Sequence, residues 1–449
     1  VLTAVDRRII RLGVPALGTL AAEPLYRIVD TAIVGRLGTD QLAGLAIAVT
    51  VLALVVAGSN FLTYGTTERV AKRLGAGQDA EAAEVGVQAM WLAGFVAIVA
   101  VPALVFGARP MATALGADGE VLEFAVQYLR IAAIGVPFVL IALAAQGVQR
   151  GASDYRTPLV ILVASNVANL VIELVLVFGF DLGIAGAAWS TAIAQAGAGV
   201  AFLVVIRRRT FTLSFRVGSE KTGGGKRARH RGPRWVEMAP LLTAGRHLLL
   251  RVGSMLAVFT GATAIAARVD DATLAAHQIA MTMFLFLALV LDALAIPAQT
   301  LVAEELGRRG VDADATALEI ARRVVRLSVM AAGAIAVVIA VTSPALPHAF
   351  SDDPAVISRA TAALLLLALL LLPGAVAFAD DGVLIGAGDY RFLGVAALGS
   401  LLAVAPIAVV VLATPSWGIA GIWIGLVVWM ILRAVVNTLR VRRVLSTLS

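Results

Sequence analysis

The chain has no cysteine in its 449 residues. That excludes disulfides, thiolate metal sites and thiol catalysis. Histidine is scarce: His230, His247, His277 and His348 are scattered, none sits at metal-ligand spacing, and no HExxH occurs. No GxSxG with a membrane histidine and no paired catalytic Asp motif occurs either, so an intramembrane enzyme has nothing to work with. Charge is sparse as well. Asp, Glu, Lys and Arg make up 14% of the chain, against about 25% in a soluble domain.

Apolar runs fill the space that charge leaves, with 60% of residues hydrophobic. The runs are long and lack alternating polarity, so they predict membrane helices and not a barrel. The first run is too long for a signal-peptide core and ends without a small-residue cleavage site, so no cleaved leader is expected. The net charge of +7 comes from basic loops, which points to a lipid bilayer as partner and not to nucleic acid.

Twelve transmembrane helices are expected, near 9–35, 42–66, 85–107, 121–148, 157–180, 184–206, 240–267, 273–300, 324–347, 355–384, 391–413 and 418–440. Arg and Lys cluster in every even-numbered connection, in the central loop and at the C-terminus, while "GFDLG", "RVDDAT" and "SDDP" lie on the other side. The positive-inside bias then places both termini in the cytoplasm of a multi-pass cell (inner or plasma) membrane protein. The segment 207–239, with its "RRR", "GGG" and "KRARHR", reads as a basic, Gly-rich linker between an N-lobe (1–206) and a C-lobe (240–449).

The halves repeat. "RGASDYR" (150–156) matches "IGAGDYR" (385–391), and "GIAGAAW" (183–189) matches "GIAGIW" (418–423), both at an offset of 235. "VAKRLG" (70–75) matches "VAEELG" (302–307) at an offset of 232. An even number of helices per unit makes the two repeats parallel. This is the layout of an alternating-access carrier with a central cavity in one chain, expected to work as a monomer.

Ionisable residues inside membrane helices are costly and mark function by default. The first helix carries Glu23, Arg27 and Asp30 at spacings that predict one face, with Arg27 able to pair with either acid. Pro15 and Pro24 on the same helix predict a kink and a hinge. The fifth helix carries Asn166, Asn169 and Glu173, again on one face. Asp30 and Glu173 lie at similar distances from the outer ends of their helices, so they can share a proton. In the second half Asp292 and Asp381 are deep acids, Gln146 is the counterpart of Asp381 in the first half, and Gln278 and Met281 are further cavity candidates. His277 is as consistent with an interfacial hydrogen bond as with a substrate contact. The deep charges read as mostly acidic, which favours an organic cation as cargo.

At these residues the chain resembles the multidrug and toxic compound extrusion family, in its DinF-like branch. The resemblance runs through "VDTAIVGRLGTDQLAGLAIA", "GASDYRTP", "NLVIELVLVFGFDLGIAGAAWSTAIAQ", "LAAHQIAMTMFLFLALVLDALAIPAQTLVAEELG" and "DDGVLIGAGDYR". It implies two six-helix lobes around a cavity and export of cationic or amphipathic small molecules in exchange for protons, or alternatively sodium, with no cofactor. It implies that Asp30 is the protonation site, Pro15 the bending proline, Asn169 and Glu173 the fifth-helix pair, and Asp292 and Asp381 the C-lobe acids. A sodium ion would use Glu173 and Asn169. Two departures stand out: Glu173 replaces the usual Asp, and Arg27 stands where an uncharged residue is expected. The competing reading is a lipid-linked precursor flippase of the same broad superfamily, whose cavity usually carries Arg or Lys for phosphate.

Overall fold

The computed structural model describes residues 3–219, 232–308 and 313–446, and all their regular structure is helical. The helices are α1 (Ala4–Gly35), α2 (Thr39–Ser59), α3 (Phe61–Gly75), α4 (Asp79–Ala114), α5 (Gly119–Ala132), α6 (Val136–Gly151), α7 (Arg156–Leu174), α8 (Gly183–Ser219), α9 (Trp235–Val269), α10 (Asp271–Arg308), α11 (Ala313–Thr342), α12 (Pro354–Gly386), α13 (Tyr390–Ala413) and α14 (Gly418–Ser446). Among the described residues ten segments are long and apolar enough to cross a membrane, or eleven if the bent pair α5 and α6 is one span. The remaining segment, α1, carries the ionisable residues noted above. Of the expected linker, 207–219 continue α8 and 235–239 open α9, while the Gly-rich basic stretch 220–231 lies outside the described residues.

The expected helix 121–148 is not continuous. α5 and α6 meet at 55° across residues 133–135. Pro137, in the first turn of α6, has no N–H to continue the ladder of α5. α2 and α3 are one run with only Asn60 between them. A single turn of π-helix, Val175–Gly179, continues α7 immediately after Glu173 and Leu174.

The helices form two compact units, one of residues 18–245 (the N-unit) and one of residues 1–17 and 246–449 (the C-unit). The chain passes from one to the other inside α1, between Leu17 and Gly18, and inside α9, between Gly245 and Arg246. Both points lie within helices and not in the linker. The first turns of α1 hold to the C-unit by ions: Asp6, fully buried, accepts from Arg326 Nη2 at 3.0 Å and Arg323 Nη1 at 3.3 Å, and Arg8 pairs with Glu304 at 2.6 Å. Within the N-unit, α6 packs on α3, α4 and α8. Within the C-unit, α12 packs on α10, α11 and α14.

The repeat seen in the sequence has a packing basis. A Cβ on Gly147 of α6 would stand 2.7 Å from the main-chain oxygen of Thr63, and one on Gly151 would stand 2.9 Å from that of Thr67. In the C-unit, Gly382 and Gly386 of α12 press in the same way on the main-chain oxygens of Ala295 and Gln299 of α10. The glycines correspond at an offset of 235 and their partners at 232, the two offsets of the sequence repeat. Each is a small-xxx-small seam, which lets two membrane helices approach until their backbones touch. Turn chemistry repeats too. Asp154 accepts from the Thr157 main-chain N–H at 3.0 Å, and Asp389 from that of Phe392 at 3.4 Å, each capping the helix that follows. The residue before each Asp is left-handed, Ser153 at φ 57° and Gly388 at φ 78°.

Candidate functional site

Four helices of the N-unit assemble the polar site. Asp30, near the end of α1, is 4% exposed, and Glu173, at the end of α7, is fully buried. The two carboxyl groups lie within electrostatic reach of each other. Tyr26, one turn before Asp30, donates its hydroxyl to Asp30 Oδ1 at 3.2 Å. Asn169, one turn before Glu173, donates Nδ2 to the Tyr26 hydroxyl at 2.7 Å and lies 3.5 Å from Thr191 Oγ1 on α8. Tyr128 of α5 reaches the same Thr191 hydroxyl at 3.4 Å. Asn166 donates to the main-chain oxygen of Ala22 at 3.1 Å, tying α7 to α1 two residues before Pro24.

Both carboxyl oxygens of Glu173, and Asn169 Oδ1, are buried and have no donor against them among the described residues. A buried carboxylate without a donor bears the full cost of desolvation. Asp30 has the Tyr26 hydroxyl as donor and Glu173 beside it has none, so a proton or another cation joining the two carboxyl groups would relieve that cost. The π-turn that follows Glu173 fits this role, since such turns occur frequently at functional positions.

Arg27 is not that cation. Its Nη2 sits 2.5 Å from Glu23 Oε1, and both side chains are exposed, 44% and 61%. The shared face expected for Glu23, Arg27 and Asp30 is therefore divided. Helix side chains lean toward the N-terminus, so Arg27 meets the residue four before it and not the one three after. Asp30, two turns further along from Glu23, is enclosed where Glu23 is not. Tyr26 and Thr191 were missed as site residues. Tyr26 lies one turn before Asp30, a spacing that could have identified it. Thr191 has no signal in the sequence.

The whole chain matches known proteins. The MatE family model covers residues 15–175 and 252–410. The chain belongs to the MatE family. Its members are transporters of multidrug and toxic compounds, not enzymes. Over 97% of its length it is 31% identical to "Protein DETOXIFICATION 44, chloroplastic" of Arabidopsis thaliana, of which it covers 82%. It is 27% identical to "DNA damage-inducible protein F" of Escherichia coli (strain K12), over 69% of this chain and 65% of that one. The fold is that of a MATE transporter crystallised in the bent conformation, with TM-score 0.86, 20% identity, and 99% and 96% of the two chains covered. It is equally that of a MOP superfamily transporter from Pyrococcus furiosus, with TM-score 0.83, 19% identity, and 100% and 97% covered.

In this MatE protein the other candidates lie elsewhere. Gln146 accepts from Arg150 Nη2 at 3.3 Å in the N-unit. Gln278 is exposed, and Met281 is part of the apolar core of the C-unit, with Phe284 and Leu291. His277 is buried, with Nε2 3.2 Å from Thr263 Oγ1 and its ring 5.9 Å from that of Trp423. Asp292 is half-buried. Asp381 is buried and held by Arg251 Nη2 at 2.5 Å, Arg433 Nη2 at 2.7 Å and Asn437 Nδ2 at 2.7 Å. The expectation that the deep charges are mostly acidic is corrected here. Both arginines fall inside expected helices, where the sequence reading passed over them, and they neutralise the acid they meet. Among the described residues no cluster of three or more His, Cys, Asp or Glu could hold a metal ion.

Proposed function

We propose that this MatE protein is a proton-driven antiporter that exports amphipathic organic cations by alternating access, with Asp30 and Glu173 as the coupling pair. The observation that carries the reading is the pair of buried carboxyl groups within electrostatic reach of each other, with neither Glu173 oxygen hydrogen-bonded among the described residues. One shared proton satisfies the pair. A cationic cargo displaces that proton, and reloading from the acidic side displaces the cargo. Tyr26 and Asn169 position the pair and hand hydrogen bonds between α1 and α7.

The passage of the chain between the two compact units within α1, two residues after Pro15, supports Pro15, and with it Pro24, as the place where α1 bends during the cycle. Residues 18–245, and residues 1–17 with 246–449, then act as the two lobes in place of the expected 1–206 and 240–449. The basic loops support a cell-membrane protein with both termini in the cytoplasm, and the repeat within one chain supports a working monomer. The signature around Asp30 supports the DinF-like branch.

The test is reconstitution into liposomes with an imposed gradient and a fluorescent cationic dye. Dye movement driven by a pH gradient alone, and lost in Asp30→Asn, supports the reading. Movement driven only by sodium would replace the proton with a sodium ion at Glu173 and Asn169. No dye movement with either ion would overturn the cation-export reading in favour of a lipid-linked cargo.

A further inference from the structure

A second polar site lies wholly within the C-unit. A cavity of about 240 Å³ opens among α9, α12, α13 and α14. It has room for about eight waters at ~30 Å³ each. Its polar end is formed by Arg251, Arg433, Asp381 and Asn437, and its walls by Ala397, Leu432, Val436 and other small or apolar residues. The small residues on α13 make the space. A Cβ added at Gly399 would meet no atom within 4 Å.

The charges of the lining are two guanidinium groups against one carboxylate. Both oxygens of Asp381 are bonded, one accepting from both arginines and the other from Asn437. Arg433 is less fully bonded. Its side chain is 5% exposed, and Nη2 is spent on Asp381 at 2.7 Å. Among the described residues Nη1 is given only the Met430 sulfur at 3.8 Å, and a thioether is a weak acceptor. The guanidinium plane lies over the Trp429 ring, 5.0 Å from its centroid, which fixes its orientation. Asp292 acts on Arg433 electrostatically but is not part of the lining. The cavity therefore presents a held, under-satisfied guanidinium edge at one end and apolar walls at the other. A guanidinium fork matches a carboxylate in shape and charge. A buried ion cluster of this kind adds little stability compared with apolar packing, so stability alone gives no reason to keep it in a membrane domain.

We infer that this cavity binds a small amphipathic monocarboxylate, its carboxylate on Arg433 and Arg251 and its body against Leu432 and Val436. The site shares no residue with Asp30 and Glu173, and it stands whether or not the export reading does.

Binding is read on the purified full chain in detergent, as the shift of its thermal unfolding temperature with added benzoate. Trimethylphenylammonium serves as a cationic control of similar size. Benzoate at a hundredfold excess over its dissociation constant is expected to raise the unfolding temperature by roughly 3 °C, and the cation to leave it unchanged. Gly399→Leu fills the cavity without touching an ion pair, so it should fold normally and lose the shift. Arg433→Lys keeps the charge but removes the fork and should weaken binding at least tenfold. No shift in the wild type, an equal shift in Gly399→Leu, or an equal shift with the cation would each overturn the proposal. A shift with dodecanoate but not with benzoate would overturn the size argument and assign the arginines to a fatty acid drawn from the bilayer. Because no gradient is applied, failure here is separate from failure of dye export.

Discussion

Gly382→Ala adds one methyl group at the tightest seam of the C-unit. The new Cβ would overlap the main-chain oxygen of Ala295, which is backbone of a neighbouring membrane helix and cannot swing away as a side chain would. α10 and α12 must therefore separate, along a seam where Gly386 presses on Gln299 one turn further on. Overpacking of a close-packed interior costs about 1–3 kcal/mol. The seam is at the upper end, because separation also loosens α12, which packs on α10, α11 and α14. For a chain of this size that is roughly a 3–6 °C fall in the temperature of half-unfolding. The measurement is thermal unfolding of the purified protein in detergent, with Gly399→Ala as control, since Gly399 has open space around it and gains helix propensity. Gly147→Ala should repeat the effect in the N-unit against Thr63. Equal stability of Gly382→Ala and Gly399→Ala would refute the argument that the glycine repeat exists to bring backbones together.

Other outcomes follow from the polar site and the helix ends. Asp30→Asn and Glu173→Gln should each abolish gradient-driven dye export while leaving the protein folded, as read by size-exclusion profile and transport together. Tyr26→Phe should reduce export by about 5- to 150-fold, the equivalent of about 1–3 kcal/mol, because it leaves Asn169 Nδ2 and Asp30 Oδ1 without their shared hydroxyl; unchanged export would remove Tyr26 from the site. Arg27→Ala should leave export within about twofold, since its partner is the exposed Glu23. Asp270, in the loop between α9 and α10, has its carboxyl held below the usual range, first by the Thr273 main-chain N–H and then by Arg359. Its contribution to stability is therefore complete above the unfolded carboxylate pKa near ~4 and is lost as pH falls through the lower folded value. The stability gap between wild type and Asp270→Asn should be constant from about pH 5 upward and close in stronger acid; a gap that persists there would refute this.

Much of the fold was legible because its causes are local. Apolar run length set the helices, and the offsets of 235 and 232 marked a repeat whose physical content is two glycine seams and two capped turns. The break between α5 and α6 was not legible, since Pro137 fits equally well inside a kinked helix. Of the N-unit site, Asp30, Glu173, Asn169 and Asn166 could be read from the cost of polar groups in an apolar helix. Thr191 could not, because a hydroxyl carries no such cost on its own helix.

By itself the sequence determined that this is a duplicated, helical membrane protein with acids on its first and fifth expected helices. Those properties depend on residue type and spacing along one chain. Which charges meet was decided only by tertiary structure. Arg27 turns back to Glu23 and leaves Asp30 to Tyr26 and Glu173, and Asp381 is neutralised by arginines 130 and 52 residues away along the chain. An electrostatic partner is fixed by distance in space, and side-chain lean and helix packing set that distance.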